Sequence, residues 1–330
     1  MEAKEKHFAD EFADVINSDD LLTEADKAQV LRNLAKLKNT KVNILIAGAT
    51  GCGKSSTINA LFNSERAVIG QGVDPETMEI TRYEMKNIVI FDSPGLGDGK
   101  EADKTHSKNI IDKLYEKDGN GSMLIDLVLV ILDGSSRDLG TSFELINQVI
   151  IPNLGEDKSR LVVAINQADM AMKGRHWDYA SNKPEDKLVD FLNDKVNSTQ
   201  RRIKEATGVD VKPIYYAAGY KDGADMQNPY NLSKLLAFIL RHTKPEKRAV
   251  YAQDINSDKE MWEDDDQLED YRKEIKESLW DSIKSTASQG ASIGSNIGRA
   301  LGGKSGEVIG RVIGSVGGAI IGGIKSLFSW

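Results

Sequence analysis

Eight consecutive residues, GATGCGKS, have the types and spacing of a loop that binds phosphate. They begin at Gly48 and match the pattern G-x-x-x-x-G-K-[ST] through Gly53, Lys54 and Ser55. The glycines let the backbone curl so that N–H groups point at an anion, and the start of the following helix adds partial positive charge. Lys54 would contact the β- and γ-phosphates of a nucleotide, and the Ser55 hydroxyl would bind Mg²⁺. The residues predicted to bind the phosphates are Gly48, Ala49, Thr50, Gly51, Cys52, Gly53, Lys54, Ser55 and Ser56.

A second motif follows an apolar run that predicts a strand at 88–91. Asp92 and Gly95 form a D-x-x-G element there. Asp92 would hold Mg²⁺ through a water, and the Gly95 N–H would sense the γ-phosphate. A glycine lets the backbone move toward that phosphate when it is present and away when it is absent. The motif therefore predicts a magnesium site and a nucleotide-dependent switch.

A third motif has the chemistry to select the base. The residues N-Q-A-D at 166–169 are similar to the guanine-reading pattern N-K-x-D. Asp169 can accept hydrogen bonds from the N1–H and the 2-amino group of guanine, whereas adenine lacks this donor pair and would leave the charge unpaired. Asn166 would brace the loop. A later strand ends in Ala217 and Ala218, whose backbone N–H groups would face guanine O6.

A threonine between the first helix and the second strand would complete the site. By position Thr77 is the candidate to contact Mg²⁺ and the γ-phosphate, and Thr81 is the alternative. The predicted catalytic residues are thus Lys54, Thr77 and Gly95, and the predicted magnesium ligands are Ser55, Thr77 and Asp92.

Alternating strands and helices would position these motifs. Such alternation predicts an α/β fold, with a three-layer, mainly parallel sheet covered by helices on both faces. In these sheets ligands bind at the carboxyl ends of the strands, and each motif follows a predicted strand. The predicted strands are 42–47, 80–86 as a polar edge, 88–91, 124–132, 161–165 and 212–216, and the predicted helices are 55–62, 104–117, 141–150, 184–206 and 231–241.

The sequence divides into four predicted regions. Residues 1–39 form an N-terminal helical segment, 40–242 the nucleotide-binding domain, 243–285 a polar linker with a charged helix, and 286–330 a glycine-rich tail. The N-terminal segment either packs on the domain or offers a surface to a partner or a second copy. The acidic stretch 262–266 is expected to be a solvated helix start, because it lacks the alternating ligand positions of a calcium loop.

In the tail, glycine recurs at every fourth position from 290 to 322. Each glycine disfavours a helix by about 1 kcal/mol, and close packing against another helix can offset this cost. We therefore expect two helices, at 287–301 and 307–324, that pack closely through their glycine-zipper-like faces. The longest uncharged piece, 312–324, would extend only about 20 Å as a helix, against a hydrocarbon core of about 30 Å. Three alternatives stay open: packing within or between chains, contact of residues 286–330 with a membrane surface, and a flexible tail.

Composition limits the remaining function classes. The chain has 330 residues, 40% of them hydrophobic, and a formal net charge of −8, which argues against a general nucleic-acid surface. Cys52 is the one cysteine and cannot form an internal disulfide, and the first residues are charged, so no signal peptide is expected. We therefore expect a cytoplasmic protein, with peripheral membrane contact if the tail binds lipid.

The order and spacing of the motifs resemble the G domain of the translation-factor-related class of P-loop GTPases. The resemblance covers residues 40–242 and is nearest to the Era-like branch and to bacterial members with D-S-P-G and N-Q-x-D signatures. It implies GTP, GDP and Mg²⁺ as ligands, and hydrolysis of GTP to GDP and phosphate by a nucleotide-dependent switch. A second copy of the chain is a possible partner, bound in a homo-oligomer through the G domain or through the glycine tail.

Two residues depart from the pattern of this class. Gln167 replaces the lysine that usually covers the base, and Leu96 stands where many relatives carry the glutamine that orients water. We therefore expect slow turnover, near the ~10⁻⁴ s⁻¹ of unassisted small GTPases, unless Arg66, Arg82, His106 or a partner assists. The alternatives are a GTPase driven by assembly, a nucleotide-binding scaffold with negligible hydrolysis, and ATP in place of GTP.

Overall fold

The computed structural model describes residues 7–18, 23–62, 68–69, 80–97, 99–222 and 225–287. The predicted switch threonine Thr77, the candidate Arg66 and the glycine repeat of the tail lie outside these residues. None of the helices within the described ranges combines the length and the apolar character that a membrane span requires.

A mainly parallel sheet lies at the centre of the fold. The strands in the described residues are β1 Val42–Gly48, β2 Val68–Ile69, β3 Thr81–Glu84, β4 Ile88–Asp92, β5 Leu127–Asp133, β6 Leu161–Asn166, β7 Trp177–Asp178, β8 Lys183–Pro184, β9 Ile214–Tyr215, β10 Tyr220–Asp222 and β11 Asp225–Gln227. Seven of them form the sheet in the order β2-β3-β4-β1-β5-β6-β9. Within this sheet β4, β1, β5, β6 and β9 pair in parallel, and β3 pairs antiparallel with both β4 and β2. The predicted parallel sheet is confirmed. The segment predicted as a polar edge forms β3, but β2 lies outside it at the edge of the sheet.

Helices cover both faces of this sheet. The helices in the described residues are α1 Phe8–Ser18, α2 Glu24–Lys38, α3 Lys54–Leu61, α4 Lys100–Tyr115, α5 Gly140–Glu144, α6 Ile151–Asn153, α7 Asp186–Thr207, α8 Leu232–His242, α9 Pro245–Arg248 and α10 Tyr271–Ala287. Successive residues of β1 belong to different apolar clusters: Ile44 and Ile46 pack with α2, α3, α8 and α10, and Leu45 and Ala47 with α4 and α7. Because side chains alternate along a strand, the two clusters lie on opposite faces, which gives three layers.

The helix predicted at 141–150 is not one continuous α-helix. It begins as α5, continues as a π-helix over Leu145–Ile150, and ends as α6. Ile151 donates its N–H to Ile146 O, five residues back, which is the π-helical pattern. The next residue is Pro152, which has no N–H, so the ordinary four-residue ladder cannot continue through it.

The first part of the region predicted as a polar linker and charged helix, residues 243–260, is largely packed into the core. After α9, a 3₁₀ helix over Ala249–Gln253 buries Val250 and Tyr251 completely, and Trp262 is also buried. These apolar residues lie in turns too short to show a helical or strand period, so the sequence pattern does not reveal them.

The acidic stretch at 262–266 is not the solvated helix start that was expected. The next helix, α10, begins only at Tyr271, and the aspartates of the stretch are partly buried. We call residues 263–266 the acidic strap, because its carboxylates bind to other segments. Its side-chain contacts are Asn182 Nδ2 to Asp264 at 2.7 Å, Ser233 Oγ to Asp265 at 2.8 Å, and Lys234 Nζ to Asp266 at 2.6 Å.

The regions before and after the predicted nucleotide-binding domain both bind the turn between β3 and β4. The buried carboxylate of Asp254 accepts hydrogen bonds from the backbone N–H groups of Lys86, Asn87 and Ile88, at 3.1, 2.6 and 2.7 Å. From the other flank, His7 Nε2 lies 2.8 Å from Asn87 Oδ1. Burial raises the pKa of Asp254, and the three N–H donors oppose that shift.

Replacing Asp254 with alanine should lower the free energy of unfolding by about 3 kcal/mol, because three backbone donors lose their acceptor. Urea unfolding followed by circular dichroism measures the change. The exposed residue Glu156 provides the matched control, and Glu156→Ala should change stability by less than about 0.5 kcal/mol. Equal effects of the two substitutions would show that the Asp254 contacts do not stabilise the fold.

Candidate functional site

The predicted phosphate loop joins β1 to α3. Gly53, directly before α3, has a left-handed backbone with φ of 89°, and a Cβ on it would lie 2.2 Å from Asn166 Nδ2. Only glycine fits this position without backbone strain and displacement of the Asn166 side chain. Because Gly53 has no side-chain acceptor, the start of α3 has no side-chain cap. Its first N–H groups can therefore serve an anion.

The side chains of the loop differ in what they can do. Lys54 Nζ turns back over the loop and lies 3.3 Å from both Gly48 O and Ala49 O. Ser55 is exposed at the first turn of α3. Cys52 is buried, and burial raises the pKa of its thiol to about 11. This thiol therefore stays protonated at neutral pH and is unsuited to redox chemistry.

The D-x-x-G segment lies directly against the phosphate loop. Thr50 N donates to Leu96 O at 3.1 Å, and Leu96 N donates to Gly48 O at 3.4 Å. A Cβ on Gly95 would lie 2.2 Å from Thr50 Oγ1 and 2.5 Å from Thr50 N. The glycine of the motif is thus required by close packing as well as by any movement of the segment.

Asp92 ends β4 with its carboxyl group mostly buried. Burial raises the pKa of this group to about 6, and the positive charge of Lys54 partly opposes the shift. Its Oδ1 is buried, and no donor to it is found in the described part of the chain. A buried carboxylate oxygen without a donor suits a cation or a water bound to one. Asp92 and the Ser55 hydroxyl therefore fit a magnesium site.

Leu96 stands where many related proteins carry a glutamine that orients water, and His106 and Arg82 are two residues that could take over this role. The two lie in very different surroundings. His106, on α4, is buried, and its Nδ1 lies 3.1 Å from Gly95 O. Because a carbonyl oxygen only accepts, Nδ1 carries the proton in this contact. Arg82 is exposed and pairs with Glu84 at 2.7 Å. Leu96 is buried in the apolar cluster that includes residues of α4 and α7.

The N-Q-A-D loop, residues 166–169, is bonded to the phosphate loop and to the loop after β9. Asn166 Nδ2 donates to Cys52 O at 3.0 Å, and its Oδ1 accepts from Ala218 N at 2.9 Å. Gln167 Nε2 donates to Gly51 O at 2.8 Å. Asn166 therefore joins all three loops, and Gln167 lies on the phosphate loop.

The backbone N–H groups of Ala217 and Ala218, which are predicted to face guanine O6, both have partners within the protein. Ala217 N donates to Tyr230 O at 3.0 Å, and Ala218 N is engaged by Asn166. The predicted strand 212–216 is shorter in the structure, where β9 ends at Tyr215. Gly219 is the next residue along the loop.

Asp169 is buried close to these loops. Burial raises the pKa of its carboxyl group, and hydrogen bonds from the N–H groups of Asp169 and Met170 and from the Gln227 side chain oppose the rise. The loop is fixed to the end of β9 because Ala168 N donates to Tyr216 O at 3.1 Å. Gln227 lies 58 positions from Asp169, and no motif in the sequence indicates this contact.

Lys195 of α7 is a further supporting residue that the sequence did not reveal. Its Nζ donates to Gly134 O and Ser136 O, both at 2.6 Å, after the end of β5. Gly134 N in turn donates to Asn166 O at 2.7 Å. Burial lowers the pKa of Lys195, and the charge of Asp133 opposes this. The lysine thus orders the turn that binds the N-Q-A-D loop through Asn166 O.

Comparisons with known proteins agree with the motifs. Residues 43–167 match the family model described as 50S ribosome-binding GTPase. GTPase Der of Rickettsia canadensis is 32% identical over 142 residues, which cover 41% of this chain and 29% of that protein. Interferon-inducible GTPase 1 of Mus musculus is 34% identical over 91 residues, or 26% of this chain and 22% of that protein. The chain thus spans less than a third of the length of these curated relatives.

Solved structures match parts of this chain at low sequence identity. A probable GTP-binding protein engB has 21% identity and a TM-score of 0.39, and the match covers 61% of this chain and 98% of that one. Toc33 from Arabidopsis thaliana, in complex with GDP and Mg²⁺, has 18% identity and a TM-score of 0.39, and the match covers 66% of this chain and 85% of that one.

Proposed function

Because the chain belongs to the translation-factor-related class of P-loop GTPases, we propose that it binds GTP, hydrolyses it to GDP and phosphate, and acts as a nucleotide-dependent switch. The observation that supports this proposal is the meeting of three loops at one end of the sheet. Leu96 pairs with Ala49 of the phosphate loop, and Asn166 and Gln167 donate to the same loop. Phosphate binding, γ-phosphate sensing and base selection can therefore occur in one site.

The phosphate end of the site is assigned to residues of the first two motifs. Lys54 balances the charge of the β- and γ-phosphates, and the Gly95 N–H contacts the γ-phosphate. Ser55, Asp92 and Thr77 are the proposed magnesium ligands. When bound, Mg²⁺ would offset the negative charge that develops on the phosphate oxygens during hydrolysis.

The base end of the site is assigned to Asp169 and its neighbours. The Asp169 carboxylate accepts from the N1–H and 2-amino groups of guanine, and Asn166 holds the loop in place. Because the amides of Ala217 and Ala218 are engaged within the protein, we assign the contact with guanine O6 to the Gly219 N–H.

Replacing Leu96 with glutamine should not restore fast hydrolysis. The side chain at this position lies in an apolar cluster, so turnover should stay within about twofold of the wild type. The buried amide should instead lower the free energy of unfolding by about 1–3 kcal/mol. Single-turnover phosphate release and urea unfolding test both expectations, with Leu96→Met as a control of similar volume. A tenfold faster Leu96→Gln protein would show that the side chain reaches the attacking water.

Specific activity measured against protein concentration tests the proposed switch. A low activity independent of concentration is expected for the switch. A rising activity would favour hydrolysis driven by assembly, and binding without turnover would favour a scaffold. Competition of labelled GTP by ATP tests the base preference.

The proposed role of the tail in assembly or membrane contact needs a separate measurement. We propose that residues 286–330 associate with another copy or with anionic lipid, since four of their five charged side chains are basic. Flotation of the full chain with anionic liposomes at low salt tests the lipid contact, and its absence would contradict it.

A further inference from the structure

The segment 133–136 at the end of β5, which we call the β5 turn, packs tightly on the N-Q-A-D loop. Gly134 N donates to Asn166 O at 2.7 Å. A Cβ on Gly134 would lie 2.4 Å from that oxygen and 3.1 Å from Gln167 O. Because the two backbones are in close contact, a shift of the β5 turn must displace the loop.

Two side chains fix the conformation of the β5 turn. Asp133 Oδ1 accepts hydrogen bonds from Ser135 N at 2.7 Å and from Ser136 N at 3.3 Å. Lys195 of α7 is half-buried, and its Nζ donates to Gly134 O and Ser136 O, both at 2.6 Å. A third, longer contact of 3.3 Å joins Nζ to Asp133 O. All three N–H groups of the ammonium therefore have carbonyl acceptors within one turn.

The N-Q-A-D loop contains a residue whose backbone needs support. Gln167 has a left-handed φ of 59°, which residues other than glycine rarely adopt. Such a conformation persists only where the surrounding contacts determine it. One of these contacts is the hydrogen bond from Gln167 Nε2 to Gly51 O at 2.8 Å, and another is the close packing of Gly134 on the Gln167 carbonyl. The β5 turn thus contributes to the shape of the loop.

Asn166 connects the β5 turn with the rest of the nucleotide site. Its carbonyl accepts from Gly134 N, while its side chain donates to Cys52 O at 3.0 Å and accepts from Ala218 N at 2.9 Å. A continuous series of hydrogen bonds therefore runs from Lys195 through the β5 turn and Asn166 to the phosphate loop and to the loop after β9.

The position of the N-Q-A-D loop affects base selection more than phosphate binding. Asp169 follows Asn166 by three positions, and its carboxylate must meet two donors of guanine in one plane. A small displacement of the loop weakens this two-point contact. The phosphates, by contrast, are assigned to several backbone N–H groups and to Lys54, so their binding depends less on the loop. Adenine lacks the donor pair, so its nucleotides lose no such contact when the loop moves.

We propose that Lys195 is a positioning residue for base selection: its ammonium group fixes the β5 turn, and the turn holds the N-Q-A-D loop where Asp169 meets guanine. This inference rests on the proposed function, because it concerns how the same site selects its nucleotide. It assigns a role in specificity to a helix, α7, that carries none of the nucleotide motifs. It predicts that loss of the ammonium group reduces the preference for GTP over ATP.

The test compares the affinities of the full chain for GTP and ATP. Lys195→Met keeps the apolar stem of the side chain and removes its donors. In equilibrium competition against a fluorescent GDP analogue, GTP should bind about tenfold more weakly to this variant than to the wild type, while the affinity for ATP changes by less than about twofold. The ratio of the two affinities should therefore fall. Lys195→Gln, a milder variant that keeps two N–H donors on a shorter side chain, should lower the ratio in the same direction.

A change on the other side of the contact tests the same series of hydrogen bonds without removing a charge. Gly134→Ala would place a Cβ 2.4 Å from Asn166 O and push the loop away, so it should also lower the ratio of GTP to ATP affinity. The matched controls are Lys187→Met, which removes an exposed lysine of α7, and Gly119→Ala, which adds a Cβ that meets no atom of the described residues within 4 Å. Neither control should change the ratio. Thermal unfolding checks that each variant is folded at the temperature of the assay.

The outcomes separate this inference from the proposed function. A wild-type protein that binds GTP no better than ATP would contradict both. A wild-type protein that prefers GTP, with an unchanged preference in folded Lys195→Met and Lys195→Gln, would overturn the inference and leave the proposed function intact. An equal loss of affinity for both nucleotides would also overturn it, because Lys195 would then support the site as a whole rather than base selection.

Discussion

Replacing Lys54 with methionine should weaken GTP binding by about 100-fold or more. Its ammonium group is the side-chain cation that turns over the phosphate loop, with Nζ 3.3 Å from Gly48 O and Ala49 O. Losing a charge-assisted contact with phosphate costs about 3 kcal/mol, which corresponds to about 100-fold in affinity. Titration with a fluorescent GTP analogue measures the change.

The control for Lys54 is a lysine of the same fold that lies away from the loops. Lys187 is exposed on α7, and Lys187→Met should leave the affinity unchanged. The Lys54→Met protein should also keep the thermal stability of the wild type within a few degrees, because the hydrogen bonds of the ammonium group go to the carbonyl oxygens of Gly48 and Ala49, at long distances of 3.3 Å. If Lys54→Met bound GTP normally, the loop would not be the phosphate site.

Replacing Asp169 with asparagine should transfer the base preference from guanine to xanthine. An asparagine amide can still accept from N1–H, but its NH₂ group faces the 2-amino group of guanine, donor against donor. Xanthine has a carbonyl oxygen at that position, so the same amide can donate to it. We expect GTP affinity to fall by about 100-fold and xanthosine triphosphate to become the better ligand.

Equilibrium competition with the two nucleotides measures this exchange. Asp190, exposed on α7, offers a matched control, since Asp190→Asn removes the same charge away from the loops. A weaker affinity for both nucleotides in Asp169→Asn, without a change of preference, would assign Asp169 a structural role. Unchanged GTP affinity would place the base elsewhere.

The parts of the fold that could be predicted are those determined by contiguous residues. The strand before the phosphate loop, the loop itself and α3 lie within one residue of their predicted bounds, because apolar periodicity and glycine spacing are local signals. The same holds for Asp92 at the end of β4 and for Asn166 at the end of β6. The local sequence around a short motif is therefore enough to predict whether it lies on a strand or in a loop.

The parts that could not be predicted depend on contacts between distant residues. Asp254 binds the turn at Asn87 across 167 positions, and Asn182 binds Asp264 across 82. No periodicity in the sequence links the two residues of such a pair. Each of these polar residues is therefore predicted to be exposed to solvent. The end of β9 is a related case, because its pairing with β6 stops at Tyr215, one residue before the predicted end.

The hydrogen bonds between Asp254 and the β3–β4 turn limit where the chain can be truncated. A fragment cut at residues 40 and 242 would keep every nucleotide motif, yet it would lose the acceptor for three main-chain donors. It would also uncover apolar side chains such as Leu236 and Leu240, which share one cluster with α1, α2 and α10. The smallest autonomous folding unit is therefore longer than the stretch that carries the nucleotide motifs, and truncation studies should retain both flanks.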